Sequence, residues 1–292
     1  MNGVVAGGSG PGRATPVLGP VKVIAVAAGK GGVGKTHVTA NLAVSLGALG
    51  RQVVVLDADF GLANLDLMLG LHPRLTLANV LDGDCTLEDV LLPGPRGIHI
   101  VPAASGLARM AELDVAAQAS LIRAFGTLQR PVDVLLVDTA AGLGGGVLNL
   151  AQAAHHVLVV VCDEPASITD AYGLVKVLSR DRGVRRFQVL ANQVRSLGEG
   201  EALFAKFRAA CLRFLDVTLE YAGAVPHDEF ARKAVQARQA VVECYPGSPA
   251  ATAFKNLARR ADSWSVPAGM RGHLEFFVER LAHAAPATGG LQ

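Results

Sequence analysis

Short apolar runs alternate along this chain with longer segments whose apolar residues recur at helical spacing. The runs are rich in Val, Ile and Leu, and none shows the strict alternation of a strand with one wet face. Strands that are buried on both faces have this pattern, which is typical of a parallel sheet covered by helices. The seven runs lie at 21–28, 53–57, 98–103, 132–138, 156–162, 187–192 and 219–226.

The segments between the runs predict the crossover helices. They lie at 36–49, 145–154, 169–180, 200–214, 229–241 and 250–262. Right-handed crossovers then predict an α/β fold, a doubly wound and mostly parallel sheet with helices on both faces. The predicted organisation is a flexible Gly/Pro-rich tail, one domain, a linker, an amphipathic helix and a second tail, at 1–20, 21–262, 263–272, 273–285 and 286–292.

Composition narrows the class of protein. Apolar residues make up 51% and charged residues 18% of the 292, which excludes a disordered main body. A net charge of +2 gives no support to charge-driven binding of nucleic acid. The four cysteines form no CxxC pair, so we expect reduced thiols.

The uncharged stretch 139–162 is long enough to span a bilayer, but its glycines and polar residues predict a loop, a buried helix and a strand. No secretory signal is expected.

The strongest motif follows the first apolar run. It matches G-x-x-x-x-G-K-[ST] in the right context, after a strand and before a helix. Its glycines let successive N–H groups turn inward around phosphate oxygens, and the following helix adds its positive end. We therefore expect a nucleoside triphosphate and Mg²⁺ here, with Lys35 at the β- and γ-phosphates and the Thr36 hydroxyl on the metal. The motif consists of Gly29, Lys30, Gly31, Gly32, Val33, Gly34, Lys35 and Thr36.

Carboxylates follow two of the predicted strands. Asp57 and Asp59 end the second run, and Asp138 ends the fourth. The carboxyl ends of parallel strands meet at one edge of a sheet, where ligands bind. An apolar strand that ends in Asp is the Walker B arrangement, which holds Mg²⁺ directly or through water. The three carboxylates are therefore expected to converge on the phosphate loop.

A second lysine within the loop, Lys30, makes the motif resemble the deviant Walker A sequence of the MinD, ParA and nitrogenase iron protein ATPases. The resemblance implies that Lys30 crosses a dimer interface to contact the nucleotide of the other subunit, and that dimerisation and hydrolysis are linked. It also implies that Lys35 and Lys30 are catalytic, that Asp57 supports the metal, and that Asp59 positions or activates the attacking water.

Further positions match the same family. The segment Asp138 to Gly142 resembles switch II, in which Gly142 can approach the γ-phosphate. His37 stands where many members have a hydroxyl that helps to hold the α-phosphate, so this chain departs from the pattern there. The resemblance assigns Asn192 to the adenine amino group and ring nitrogen, and Pro226 to the loop that flanks the adenine.

Four stretches, at 58–71, 138–148, 162–178 and 213–254, are similar to the FlhG/FleN family of MinD-like ATPases, which limits the number of polar flagella. The resemblance covers residues 20–262. It implies a slow ATPase that forms a homodimer with ATP, restrains the flagellar transcription activator FleQ, acts with the GTPase FlhF and contacts basal-body components. It places the protein in the cytoplasm, with reversible attachment to the inner membrane at the cell pole. Residues 1–20 lack the DQAxxLR-like motif with which some members activate FlhF.

The predicted C-terminal helix has one apolar face, on which four residues recur at i, i+3, i+4 and i+7. They are Leu274, Phe277, Val278 and Leu281. This helix resembles the membrane-targeting helix of MinD, although its acidic residues weaken attraction to anionic lipid. Two interpretations stay open, reversible membrane attachment and docking in a groove of its own domain.

Every motif described so far is also compatible with two alternative functions. One is an antiactivator that binds ATP without needing to hydrolyse it. The other is a ParA-type partition ATPase that binds nonspecific DNA through Arg232, Lys233 and Arg238. Three charges on one helix are more often a solvated face, so DNA is not the partner that we expect.

Overall fold

The computed structural model describes residues 19–61, 63–103, 115–266, 274–278 and 280. Its strands form a single sheet. They are β1 (Lys22–Ala27), β2 (Val53–Ala58), β3 (Leu92–Pro93), β4 (His99–Val101), β5 (Val134–Thr139), β6 (His156–Val161), β7 (Arg186–Val194) and β8 (Thr218–Pro226).

Ten α-helices are present in the described part of the chain. They are α1 (Lys35–Ala48), α2 (Leu65–Met68), α3 (Leu77–Asp82), α4 (Val115–Gly126), α5 (Gly145–Ala153), α6 (Pro165–Asp181), α7 (Leu197–Leu212), α8 (Glu229–Gln236), α9 (Val241–Cys244) and α10 (Pro249–Ser263).

The strand order is β3-β4-β2-β5-β1-β6-β7-β8. Every neighbouring pair is parallel except β3 with β4. The chain builds one half of the sheet first, returns through β5 to the side of β1, and then adds β6 to β8 on the other half. This reversal opens a crevice at the carboxyl end of β1, where doubly wound folds bind ligands.

Each face of the sheet carries its own apolar layer. In β7, Phe187 belongs to the layer beneath α4 to α7, and Leu190 belongs to the layer beneath α1 and α10. Leu42 from α1 and Phe254 from α10 are fully buried in the second layer. Because both faces are covered, inward and outward positions are equally apolar, which explains the continuous hydrophobic runs.

The structure confirms the predicted doubly wound sheet and its seven main strands. It also shows strands and α-helices that the pattern did not predict, namely β3, α2, α3, α4 and α9. The helix predicted over 229–241 is interrupted: α8 ends at Gln236, Arg238 has a φ of 54°, and α9 begins at Val241. The stretch 139–162 holds the end of β5, then α5 and β6, and no helix of the described residues is long and apolar enough to cross a bilayer.

The described residues near the C-terminus dock on the domain. The rings of Phe276 and Phe277 meet Phe125 of α4 edge to face, at centroid distances of 5.3 and 6.0 Å. Arg280 donates to the carbonyl oxygen of Leu128 at 2.6 Å. In this structure the segment therefore follows the docking interpretation.

The details of this segment differ from the predicted helix. Residues 274–277 are not helical, and Phe277 has a φ of 54°. Leu274 is partly exposed, whereas Phe276, which the predicted face omitted, is fully buried. Val278 is half-buried. The predicted tails, most of the linker, and Leu281 with the rest of the helix lie outside the described residues, at 1–18, 267–273 and 281–292.

We expect Phe125→Ala to lower the free energy of unfolding by about 3–5 kcal/mol, because it leaves a cavity beneath two buried rings. It should also make the C-terminal segment easier to cleave. The exposed Phe214 supplies the control, since Phe214→Ala should change stability by no more than about 0.5 kcal/mol. Urea denaturation and limited proteolysis measure both effects. Equal stability of the two variants would contradict the packing described here.

Candidate nucleotide site

The loop between β1 and α1 has the backbone of a phosphate cradle. Gly32 and Gly34 have φ values of 81° and 84°, in the left-handed region that favours glycine. Gly34 is the N-cap of α1, and no side chain caps this helix end. The first N–H groups of α1 are therefore available to an anion, which the positive end of the helix also attracts.

Neighbouring elements hold this loop from two sides. A Cβ atom on Gly29 would overlap the backbone carbonyl of Asp170 in α6. A Cβ atom on Gly34 would stand 2.7 Å from Nδ2 of Asn192, which ends the buried part of β7. That nitrogen donates to the carbonyl oxygen of Val33 at 2.7 Å. The glycines are thus needed for close approach as well as for backbone conformation.

Lys35 lies almost fully buried beside Asp138. Its Nζ is 3.8 Å from Asp138 Oδ1, and the two side chains are 8% and 0% exposed. The hydroxyl of Thr39 lies 3.0 Å from the same carboxylate oxygen and 3.1 Å from the carbonyl oxygen of Lys35, so it can donate to either. The lysine is therefore held at the loop by a carboxylate of β5, the strand that pairs with β1.

Asp138 keeps one oxygen unused. Its Oδ2 is buried and has no hydrogen-bond partner among the described residues. Burial raises the pKa of Asp138, while the charge of Lys35 and the hydroxyls of Thr36 and Thr39 act in the opposite direction. A carboxylate oxygen and a threonine hydroxyl are hard oxygen ligands of the kind that Mg²⁺ prefers. Asp138 and Thr36 therefore fit a magnesium ion.

Asp57 is directly beside Asp138 in the register of β2 and β5, and it is also buried. Its Oδ1 accepts from the N–H of Asp59 at 3.2 Å, and its Oδ2 accepts from the N–H groups of Asn64 and Leu65 at 3.1 and 3.0 Å. Asp57 thus holds the connection that carries Asp59, and Asp138 is the better-placed metal ligand.

Burial is the main reason that the pKa of Asp57 rises to about 7, and the charge of Asp138 adds to it. The N–H groups of Leu65 and Asp59 oppose this rise. A proton on one of the two neighbouring carboxyls relieves their repulsion when no cation is bound.

Asp59 and the predicted switch II segment face one cavity of about 580 Å³. Asp59, Ala140 and Ala141 line it. Gly142 has a φ of 96°, and its N–H donates to the carbonyl oxygen of Ala28 at 3.0 Å. The structure thus brings the end of β2, switch II and the start of the loop together.

Lys30 is on the surface of the subunit. Its Nζ donates to Glu164 Oε2 at 2.7 Å, and both side chains are substantially exposed. The hydrogen bond to Glu164 raises the pKa of Lys30, so the side chain is charged. This single subunit shows Lys30 at an accessible position, and its contact with a second nucleotide stays a prediction.

His37 packs edge-on against Phe254 of α10, with ring centroids 5.4 Å apart. Burial lowers the pKa of His37 to about 4, so the imidazole is neutral at neutral pH. Its contact with an α-phosphate stays a prediction. Pro226 is half-buried and lines a cavity of about 390 Å³ between β8 and α10. The adenine contacts of Pro226 and Asn192 also stay predictions.

Three residues at this site were missed by reasoning from the motif alone. Thr39 lies one helical turn after Lys35, and that spacing on one face of α1 was the available signal. Glu164 follows β6 at the same edge of the sheet as the loop, so its position after a strand could have indicated a partner for Lys30. The contact of Asp170 is made by its backbone and has no sequence signal.

Comparison with known proteins agrees with this geometry. Residues 21–187 match the family model described as an AAA domain. The chain is 58% identical to the Antiactivator FleN of Pseudomonas aeruginosa, over 92% of this chain and 96% of that protein. It is 32% identical to the Flagellum site-determining protein YlxH of Helicobacter pylori, over 78% and 77%. The solved structure of MinD with Mg-ADP from Pyrococcus horikoshii matches with a TM-score of 0.68 and 29% identity, over 84% of this chain and 97% of that one.

We expect Gly29→Ala to weaken the binding of Mg-ADP by about tenfold or more, which corresponds to ~1.4 kcal/mol. The added methyl overlaps the Asp170 carbonyl and must push the loop away from α6. Gly198→Ala is the matched control, because Gly198 is exposed on α7, away from the loop, and a Cβ atom there meets only Ser196 Oγ, at 4.0 Å. Isothermal titration calorimetry distinguishes the two. Similar losses in both variants would refute the packing argument.

The raised pKa of Asp57 predicts a pH effect on stability in the absence of nucleotide and metal. Between the ordinary value of 3.8 and about 7, the folded state keeps a proton that the unfolded state has lost. The free energy of unfolding must therefore fall as pH rises through this window. Asp57→Asn should lose less stability than the wild type over the same window.

The measurement is urea denaturation at several pH values between 4 and 7. The lowered pKa of His37 contributes a slope of opposite sign in both proteins, so the difference between them isolates Asp57. The exposed Asp216 provides the control Asp216→Asn, which should keep the wild-type pH dependence. Identical pH dependence in all three proteins would contradict the predicted titration.

Proposed function

The chain belongs to the FlhG/FleN family of MinD-like P-loop ATPases, and on that premise we propose that it is an ATP-dependent switch that limits the number of polar flagella. The observation that carries the proposal is the buried pair of Lys35 and Asp138 at the mouth of the phosphate loop, where the side chains are 8% and 0% exposed. We assign this pair to the binding of a triphosphate with its metal. The biological role rests on the likeness to FleN, which is an antiactivator.

Nucleotide binding follows from the residues already described. The N–H groups of the glycine loop and of the start of α1 surround the phosphates, and Lys35 meets the β- and γ-phosphates. Thr36 and the unused oxygen of Asp138 would hold Mg²⁺, and Asp57 fixes the neighbouring connection. When bound, the magnesium ion neutralises the charge that develops on the phosphates.

Hydrolysis is assigned to the cavity beside switch II. Asp59 lines this cavity, and we assign it to orient or deprotonate a water molecule that attacks the γ-phosphate. The glycine at position 142 lets the switch backbone pass close to that phosphate. We assign slow turnover to the need for a second subunit, which supplies further positive charge to the transferred phosphate.

We propose that Lys30 is the residue by which each subunit supplies positive charge to the nucleotide of the other. Its side chain is exposed at the edge of the phosphate loop, where the ion pair with Glu164 is open to solvent and therefore weak. Little free energy is lost when Lys30 leaves Glu164 for a nucleotide across a dimer interface. ATP would then join two protomers, and hydrolysis would separate them.

The partners of this switch are the finer part of the proposal. We assign the ATP-bound dimer to restraint of the transcription activator FleQ, in keeping with the antiactivator relative. Contacts with FlhF, with basal-body components and with the inner membrane at the cell pole belong to other steps of the same cycle. The docked residues Phe276 and Phe277 would have to leave α4 before the C-terminal segment could attach to a membrane.

Three variants test the switch by analytical ultracentrifugation and ATPase assay. Lys35→Ala should weaken ATP binding by about 10- to 150-fold, because a charge-assisted phosphate contact contributes about 1.5–3 kcal/mol. Asp59→Ala should form dimers with ATP and lose turnover by about 10²- to 10⁴-fold. Lys30→Ala should bind ATP and remain largely monomeric. Lys176→Ala, at an exposed position of α6, is the control.

Each alternative has its own contrary result. A full ATP-dependent dimer of Lys30→Ala would show that the second lysine does not cross the interface. Normal flagellar number in cells that carry only Asp59→Ala would favour the antiactivator that does not need hydrolysis. A DNA mobility shift at low salt that disappears with Arg232→Ala and Lys233→Ala would favour the partition ATPase.

A further inference from the structure

A second cavity lies at the amino ends of the strands, opposite the carboxyl ends where the phosphate loop lies. It has a volume of about 440 Å³ and is formed by the amino ends of β6 and β7, by the α6–β7 connection and by the residues after α10. None of the predicted nucleotide-binding residues lines it. Its volume falls within the range of small-molecule sites, about 300–1,000 Å³.

The aromatic wall of this cavity is fixed by contacts to the end of α10. Lys22 of β1 donates to the carbonyl oxygens of Ala261 and Asp262 at 2.8 and 2.6 Å. Arg51 binds both carboxylate oxygens of Asp262, at 2.7 and 3.0 Å. These bonds hold the last turn of the helix against the sheet. The residues that follow it are thereby held over the amino end of β6.

Trp264 and His156 form that wall. Their rings lie 5.2 Å apart, and a ring nitrogen of His156 is 3.0 Å from the carbonyl oxygen of Ser265. Both residues line the cavity, and Trp264 is half-buried. A flat ligand can stack on such a wall, since every nucleobase presents a π-face to an aromatic ring.

The rim of the cavity is positively charged. Arg182, Arg185 and Arg186 line it, against the single carboxylate of Glu220 among the described lining residues. Arg185 is held in place by a bond from its Nη1 to the carbonyl oxygen of Asp216 at 3.2 Å. Guanidinium groups recognise phosphate with paired donors, so this rim favours an anionic group.

The inner wall holds an amide oxygen without a partner. Gln188 is 4% exposed and lines the cavity. Its Nε2 donates to Glu220 Oε2 at 3.4 Å, which fixes the orientation of the amide. Its Oε1 is buried and meets no donor in the part of the chain that the structure describes. A buried acceptor without a donor is unfavourable, and an N–H group of a ligand would satisfy it.

We propose that this cavity binds a nucleoside monophosphate, with the base on Trp264 and His156, a base N–H at Gln188 Oε1, and the phosphate at Arg182 and Arg186. The aromatic wall favours a flat ring, the amide oxygen of Gln188 favours an N–H donor, and the arginine rim favours an anion. A nucleotide combines these three groups. The site is separate from the phosphate loop and does not depend on the proposed function.

The chain has one tryptophan, so its intrinsic fluorescence reports on this cavity and not on the phosphate loop. We expect AMP or GMP, titrated into the full-length protein, to change Trp264 fluorescence with a saturable curve and a Kd below about 1 mM. Lys35→Ala should give the same curve, because the two sites lie at opposite edges of the sheet. Adenosine and inorganic phosphate, titrated separately, should each bind more weakly than the nucleotide.

Two variants probe the cavity itself. Arg186→Ala changes an exposed side chain and should weaken binding by about tenfold or more through loss of the phosphate contact. Gln188→Leu should weaken it as well, after circular dichroism has shown that it folds. Arg208→Ala, on the exposed face of α7, should leave the curve unchanged.

Several results would overturn the proposal. One is the absence of a saturable change with both nucleotides in the wild type. Another is a response that Arg186→Ala leaves intact, or one that Lys35→Ala abolishes. A response to inorganic phosphate as strong as the response to AMP would show that the aromatic wall takes no part.

Discussion

Two neighbouring strands at the centre of this fold end in buried carboxylates, and one buried lysine lies beside the second of them. Asp57 and Asp138 are paired in the register of β2 and β5, and Lys35 is 3.8 Å from the second of them. If both carboxyls were ionised, two carboxylates and one ammonium would leave a net negative charge in a site of low dielectric, which a proton on Asp57 removes below a pH of about 7. The protein relieves it partly by backbone N–H groups at Asp57 and by the hydroxyl of Thr39. The unused oxygen of Asp138 marks where a cation completes the arrangement.

The sheet topology makes this concentration of charge possible. β1 is bordered by β5 and β6, and the order in which strands are added to the sheet reverses at this point. The carboxyl ends of these three parallel strands therefore meet at the phosphate loop. The same topology covers both faces of the sheet with helices. The apolar layers stabilise the domain, and the polar residues can therefore be restricted to the strand ends. Close packing of Gly29 on α6 and Gly34 on Asn192 then keeps the loop in a single position.

Periodicity was sufficient to predict the architecture because the central strands β1, β2, β5 and β6 are buried on both faces. The loop motif and the strand-ending aspartates located the site for the same reason, since a doubly wound sheet brings those positions together. What could not be predicted depends on contacts between distant segments. Arg238 breaks the 229–241 helix with a left-handed residue, and Phe276 replaces Leu274 in the docked C-terminal segment because it reaches Phe125. The short helix α2 begins where Asp57 caps its N–H groups, a contact that no local pattern encodes.

The helix α10 contacts residues beside both the phosphate loop and the second cavity. Near the phosphate loop, Phe254 covers His37 and keeps that imidazole neutral, so a histidine can stand beside an anion site without adding a charge. At its other end, Lys22 and Arg51 bind the last turn and fix the position of Trp264. One helix thus supports the nucleotide site through an aromatic contact and the second cavity through its C-terminal carbonyl groups. Because α10 packs on α1 and on β8, its placement depends on the apolar layer between them. The geometry of both sites therefore rests on the packing of one face of the sheet.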